Sequence, residues 1–263
     1  MIRIGLVQAA SHESATQNLK SLRSFVQQAQ HAHCDVICFP ECFLTGYAPE
    51  RVSELALDTD SPILDNVSSV AQEFQIDLLV GYMEYCNGKS FITHGIFKKD
   101  CSRLFYHKSH LGSKERNFFT SGDSLDVFDL SCGLRIGFQL CVETHFPEIT
   151  QTLSLRGADI IFAPHAVPRI SGDRAALWEK YIPARSYDNR VYFACCNQWD
   201  KERFAGGCLV TDPRGDVVSS YFEDSAYLLV CDIDPKLAAK YRPSENNSSK
   251  YYFPAKRRKE LYD

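Results

Sequence analysis

The chain has no long apolar run: nowhere among its 263 residues do uncharged hydrophobic positions continue for the ~18 that a membrane-crossing helix needs. Its start, Met1-Ile2-Arg3-Ile4-Gly5, lacks a charged segment leading into a long apolar stretch, so no secretory signal is expected. Neither sign of charge is in large excess. Lysine and arginine number 29 against 33 acidic residues, for a net charge of −4 and a pI near 6.1. That balance excludes a global pull toward nucleic acid or an anionic membrane. The dense basic run Lys256-Arg257-Arg258-Lys259 is flanked by Glu260 and Asp263 and reads as a solvated tail or helix end. There is no internal repeat, no low-complexity tract and no pair of histidines at the helical metal-binding spacing. No linker-like stretch occurs before Ser244–Lys250, which leads into the aromatic segment Tyr251-Tyr252-Phe253-Pro254. The tail over 241–263 is expected to pack on the body or on a partner subunit.

Eleven cysteines are present, but they do not form a disulfide framework. Cys38, Cys195 and Cys196 sit inside apolar, strand-like runs, where a reduced thiol behaves as a small hydrophobe. Cys34, Cys38 and Cys42 straddle a strand, so their spacing does not gather metal ligands. At 44% hydrophobic and 24% charged residues, a chain of this length buries a sizeable core without covalent staples. A cytoplasmic, reducing setting is the expectation.

Strand-length apolar runs alternate with helix-period segments throughout. Strands are expected over Ile2–Gln8, Asp35–Phe39, Leu78–Tyr85, Phe91–Lys98, Arg103–His107, Asp159–Ala163 and Val191–Asn197. A hairpin is expected from Leu125–Leu130 to Leu134–Leu140. A closing meander is expected over Gly207–Asp212, Asp216–Phe222 and Ala226–Asp232. Helices are expected over Asn18–Ala32, Ile63–Phe74, Pro147–Arg156 and Arg174–Asn189. The mixture predicts a layered α/β architecture.

Three segments share one property: a buried strand runs into a reactive or charged residue where a turn begins, which is where rigid scaffolds open into clefts. Val36-Ile37-Cys38-Phe39-Pro40-Glu41 ends on a carboxylate, either a solvated strand-end acid or a partly buried one suited to proton transfer. Leu104-Phe105-Tyr106-His107-Lys108 ends on a lysine that either reaches solvent or stabilises an oxyanion; Glu115 is its counter-ion or a surface charge. Arg135-Ile136-Gly137-Phe138-Gln139-Leu140-Cys141 delivers a thiol to a strand-to-helix junction, either as inert filling or as a nucleophile whose pKa the helix terminus lowers.

Taken together, these segments are specific. Phe39-Pro40-Glu41, Tyr106-His107-Lys108-Ser109-His110-Leu111 and Cys141-Val142-Glu143-Thr144-His145-Phe146-Pro147-Glu148 resemble, in order and context, the three catalytic motifs of the nitrilase (carbon-nitrogen hydrolase) superfamily. The resemblance extends from Ile4-Gly5-Leu6-Val7-Gln8 to Arg257-Arg258-Lys259-Glu260-Leu261-Tyr262 and implies one domain over 1–263 with a four-layer α-β-β-α sandwich. It implies Glu41 as general base, Lys108 as oxyanion stabiliser, Cys141 as nucleophile and Glu115 as the acid that positions Lys108 or the substrate. No metal or organic cofactor is implied, and the expected assembly is a homodimer or larger homo-oligomer. Tyr47, Val142, Glu143, Thr144, His145 and His165 are the expected substrate-facing residues. Val142 stands where many members carry an aromatic residue, and Glu143 where many carry aspartate. These departures favour a small amide or N-carbamoyl substrate over a nitrile. The competing readings are a glutaminase-type ammonia donor to a partner enzyme and a non-catalytic binding protein of the same fold.

Overall fold

The computed structural model describes residues 1–242 and 251–261. Two sheets carry the architecture. In the first, β1 (Ile2–Gln8), β2 (Val36–Cys38) and β4 (Asp77–Cys86) run parallel, with β5 (Lys89–Phe97) and β6 (Arg103–His107) added as antiparallel neighbours. The short β3 (Leu57–Asp58) pairs with β4. In the second sheet, β8 (Arg135–Phe138), β9 (Ile160–His165) and β10 (Tyr192–Asn197) run parallel. β7 (Phe128–Asp129) flanks β8, and β11 (Cys208–Thr211) and β12 (Val217–Tyr221) complete the other side.

Period-two alternation decides which side chains face which layer. Ile4, Leu6, Val36 and Cys38 meet Ile136, Phe138, Ile160, Phe162 and Cys196 in the core between the sheets. The alternate residues face outward. Ile37, Phe39, Leu78 and Val80 pack under α1 (Ala15–His31) and α3 (Pro62–Phe74). Ile161, Ala163, Phe193 and Cys195 pack with Ile149, Leu153, Trp178 and Ile182 of α4 (Pro147–Leu155) and α5 (Arg174–Asn189). Strands covered on both faces read as unbroken apolar runs, which is why the sequence shows them so clearly. The result is the α-β-β-α sandwich.

Local signals fix the helix ends. Ser14 caps α1 through Gln17 N, so that helix opens three residues before the expected Asn18. Ser61 caps α3 with Pro62 in its first turn, and Gln75 closes it in a left-handed conformation at φ 57°. One four-residue turn, α2 (Val52–Leu55), and one late helix, α6 (Pro235–Tyr241), were not expected.

The closing meander requires correction. β11 and β12 form a hairpin, but β13 (Tyr227–Ile233) crosses to the other sheet and pairs antiparallel along the whole of β1, from Ile2↔Ile233 to Gln8↔Tyr227. Leu229, Cys231 and Ile233 thereby enter the core between the sheets. Ser244–Lys250 lies outside the described residues. The aromatic segment after it packs on the chain's own body: Tyr252 is buried with its hydroxyl 2.8 Å from Ser154 Oγ. The Arg190 guanidinium, stacked on Tyr187 and Tyr241, donates to Tyr251 O. All eleven cysteines are free thiols.

Candidate active site

The carboxyl ends of the parallel strands point the same way in each sheet, and ligands of open α/β sheets gather there. β2 runs out at Cys38 into Glu41, β6 at His107 into Lys108, β8 at Phe138 into Cys141, and β9 at His165 into Ala166. Lys108, Cys141 and Ala166 line one cavity of about 730 Å³. Tyr47, Pro49, Glu115, Val142, Val167, Pro168 and Phe204 form much of its wall, and Glu50, Lys114, Arg169, Glu202 and Arg203 carry charge around it.

Two close backbone approaches hold the charged residues in place. A Cβ on Gly81 of β4 would lie 2.6 Å from Cys42 N and 2.8 Å from Pro40 O, so the turn bearing Glu41 sits directly on that glycine. A Cβ on Gly122 would lie 2.3 Å from His107 O, beside the residue that precedes Lys108. At the other side of the cavity, Cys141 adopts φ 49°, a left-handed conformation that costs a residue with a side chain roughly 1–3 kcal/mol. The kink turns the chain from β8 into the short helical turn Cys141–His145 while the thiol stays partly open to the cavity.

The electrostatics centre on Lys108. Its Nζ lies 2.7 Å from Glu41 Oε1 and 2.8 Å from Glu115 Oε1, and all three side chains are buried. Burial works against the ammonium, but the charges of Glu41 and Glu115 outweigh it and hold Lys108 protonated beyond the usual lysine range. Burial raises the Glu41 carboxyl to about 7 even with Lys108 beside it, and Glu115 adds to the rise. Glu41 Oε2 has no hydrogen-bond partner among the described residues, while its backbone carbonyl accepts from Gln198 Nε2 at 2.7 Å. Glu115 is itself fixed by Tyr47 OH at 2.9 Å and by Gly112 N at 2.6 Å.

The expected lowering of the Cys141 pKa does not occur. Burial, reinforced by the negative charge of Glu41, pushes the thiol up to about 12, although Lys108 and the Ala166 N–H oppose the rise. A turn of five residues supplies too little dipole to overcome two neighbouring carboxylates. The resting sulfur is therefore protonated and needs a base.

Of the expected substrate-facing residues, Tyr47 and Val142 line the cavity; Glu143, Thr144, His145 and His165 do not. Glu143 is fully buried and taken up by protein donors. Thr144 is buried and donates its hydroxyl to Cys141 O at 2.7 Å, bracing the turn. His145 is exposed and lies against the Tyr181 ring. His165 is buried against Trp178, donates Nδ1–H to Ala163 O at 2.7 Å and is held neutral, its pKa pushed down to about 3 by burial. Sequence reasoning missed Gln198 and the wall segments 166–171 and 202–204. The signal available for them was position, since each follows the carboxyl end of a parallel strand.

The family model for carbon-nitrogen hydrolases matches residues 3–243. This chain belongs to the carbon-nitrogen hydrolase family, within the nitrilase superfamily. Among curated relatives, the hydrolase is 28% identical to the omega-amidase of Homo sapiens, with 91% of each chain covered. It is 30% identical to a hydrolase of Pseudomonas protegens, covering 94% of this chain and 85% of that one. Among solved structures, an amidase of Nesterenkonia sp. AN1 superposes with a TM-score of 0.84 at 22% identity, covering 99% and 98% of the two chains. Nit3 of Saccharomyces cerevisiae gives 0.82 at 23% identity, covering 95% and 96%. At those identities the solved structures establish the fold.

Proposed function

We propose that this hydrolase cleaves the C–N bond of a small amide or N-carbamoyl compound through a thioester on Cys141. One observation carries the reading: a buried ammonium clamped by two carboxylates lies on the cavity that also receives a protonated thiol. Glu41 takes the thiol proton, and the sulfur attacks the carbonyl carbon. Two of the three Lys108 donors are engaged by Glu41 and Glu115; the third, with the backbone N–H of Val142, serves the developing oxyanion. As the C–N bond breaks, protonated Glu41 gives its proton to the departing nitrogen, which leaves as ammonia or an amine. Glu41 then deprotonates a water that attacks the thioester. The carboxylic acid leaves, and the proton returns to sulfur.

A cavity lined both by apolar residues, Val142, Ala166, Val167 and Phe204, and by charged ones, Lys114, Arg169 and Arg203 with Glu50 and Glu202, suits a short chain with a polar or charged end. The omega-amidase relatives support an amide at the chain terminus. The same reading takes the chain as one domain, acting in the cytoplasm as a homodimer or larger homo-oligomer. Among the described residues, no helix is long and apolar enough to cross a membrane.

The test is ammonia release from a panel of short amides, ω-amides and carbamoyl amines by the wild-type protein and Cys141→Ala. Loss of at least ~10³-fold in kcat on every substrate the wild type accepts is expected. Turnover by the alanine variant at the wild-type rate would falsify the assignment.

A further inference from the structure

One fully buried carboxylate near the site belongs to neither the clamp nor the cavity wall. Glu143 is fully buried, two residues after Cys141. Its Oε1 accepts from Tyr106 OH at 2.8 Å, Ser109 N at 2.8 Å, Ser109 Oγ at 2.5 Å and His110 N at 3.1 Å. Its Oε2 accepts from Leu140 N at 2.7 Å. Ser109 and His110 follow Lys108 at the end of β6 in one sheet. Leu140 precedes Cys141 at the end of β8 in the other. One side chain thus joins the two backbone segments that carry the ammonium and the sulfur.

We propose that Glu143 is a positioning residue for amide hydrolysis, a strut that fixes Lys108 and Cys141 at working distance across the gap between the sheets. The proposal rests on the catalytic roles given above to those two residues. Three features separate the strut from ordinary core filling. The two carboxylate oxygens are divided between the two sides, so the spacing is set by a rigid, planar group. Two of the four donors on the Lys108 side are backbone N–H groups, those of Ser109 and His110, so the contact acts on the course of the chain itself. Finally, a glutamine fits the volume but not the pattern: one of its ends is an NH₂ donor, and every partner here is already a donor. Whichever way the amide turns, one side of the strut meets N–H against N–H and is released.

The same donor pattern explains why this position departs from the expected substrate contact. Fully buried, absent from the cavity lining and held by five protein donors, this carboxylate is out of a ligand's reach. It shapes the site while touching nothing that reacts.

The experiment compares wild type, Glu143→Gln and Glu143→Asp in two readouts after folding is verified by circular dichroism and melting. The first is steady-state amide hydrolysis. Displacement of the reacting groups is expected to lower kcat of Glu143→Gln at least tenfold with KM within about threefold, since the cavity walls are untouched. Glu143→Asp keeps the charge but is one methylene shorter, and is expected to recover part of the loss. The second readout is the rate at which iodoacetamide alkylates Cys141, followed by site-resolved mass spectrometry. It needs no substrate turnover, so it tests the strut even if the amide reading fails, and a fivefold or greater change is expected. A folded Glu143→Gln variant with wild-type kcat and a wild-type alkylation rate overturns the proposal. If Glu143→Gln does not fold, Tyr106→Phe and Ser109→Ala each remove part of the Oε1 side and meet the same criteria, graded by the donors removed: a graded loss of kcat supports the strut, and unchanged kcat in both overturns it.

Discussion

The turn after β2 and the turn after β8 are built alike. Each follows a parallel strand, one in either sheet, and each contains a cysteine in the left-handed region: Cys42 at φ 52° and Cys141 at φ 49°. Burial raises the pKa of both thiols, and in both the charge of Glu41 adds to the rise. The difference lies in access. Cys42 is wholly enclosed in the core between the sheets, and its turn offers the preceding carboxylate to the site. Cys141 is partly exposed and lines the cavity. A strained strand-end cysteine is therefore not a nucleophile by virtue of its backbone. What distinguishes Cys141, the proposed nucleophile, is a route for substrate.

The largest test of this comparison removes the charge that the two turns share. Lys108→Met is expected to lower kcat by ~10²–10³-fold, the range for losing an oxyanion donor. It also leaves Glu41 and Glu115 buried without their cation, at a cost of roughly 3–5 kcal/mol measured by urea unfolding near neutral pH. Part of that loss should return on acidification, because the Glu41 carboxyl, already raised by burial, then becomes neutral. Unchanged stability in Lys108→Met would mean that the clamp does not hold the two carboxylates as described.

The pH dependence sharpens the role of the β2 turn. With Glu41 raised to about 7, the proposed base is already protonated below that value, so kcat/KM should fall about tenfold per pH unit on the acid side. Glu115 contributes to the rise, so Glu115→Gln should shift this limb to lower pH while reducing activity. A limb that stays in place in Glu115→Gln would show that the two carboxylates are not electrostatically linked.

The smallest effect separates the two sulfurs. Cys42→Ala should keep kcat within twofold of wild type and lose about 1 kcal/mol of stability, as expected for one atom removed from a packed core. Cys141→Ala should do the reverse. Labelling order alone is a poorer discriminator, because Cys101 is exposed on a surface turn and will react with any alkylating reagent.

Much of this was legible in the chain. Runs such as Val36-Ile37-Cys38-Phe39 and Ile160-Ile161-Phe162-Ala163 announce strands buried on both faces, and the residues after them mark the cavity. Which sheet a strand joins was less legible. Tyr227–Ile233 follows a hairpin and alternates as a third hairpin strand would, yet its pairing with β1 is settled by contacts more than 200 residues apart in sequence. The cavity walls at Val167, Pro168 and Phe204 come from loops after β9 and β10, so their place along the chain points to the site, while which of their side chains reach it depends on tertiary packing. Glu143 shows a different limit. Its place in the Cys141 motif suggests contact with substrate, whereas its chemistry is set by donors from residues 106–110. An acid's neighbours in the fold, not in the motif, decide what its oxygens do.

The left-handed turn at Cys141 has an evolutionary consequence. Asparagine or glycine would occupy that conformation with less strain, so a lineage screened only for thermal endurance would tend to discard the sulfur before most of the core. Decayed, inactive copies of this fold should accordingly melt higher when the substitution falls at this position than when it falls at the lysine or either clamping glutamate.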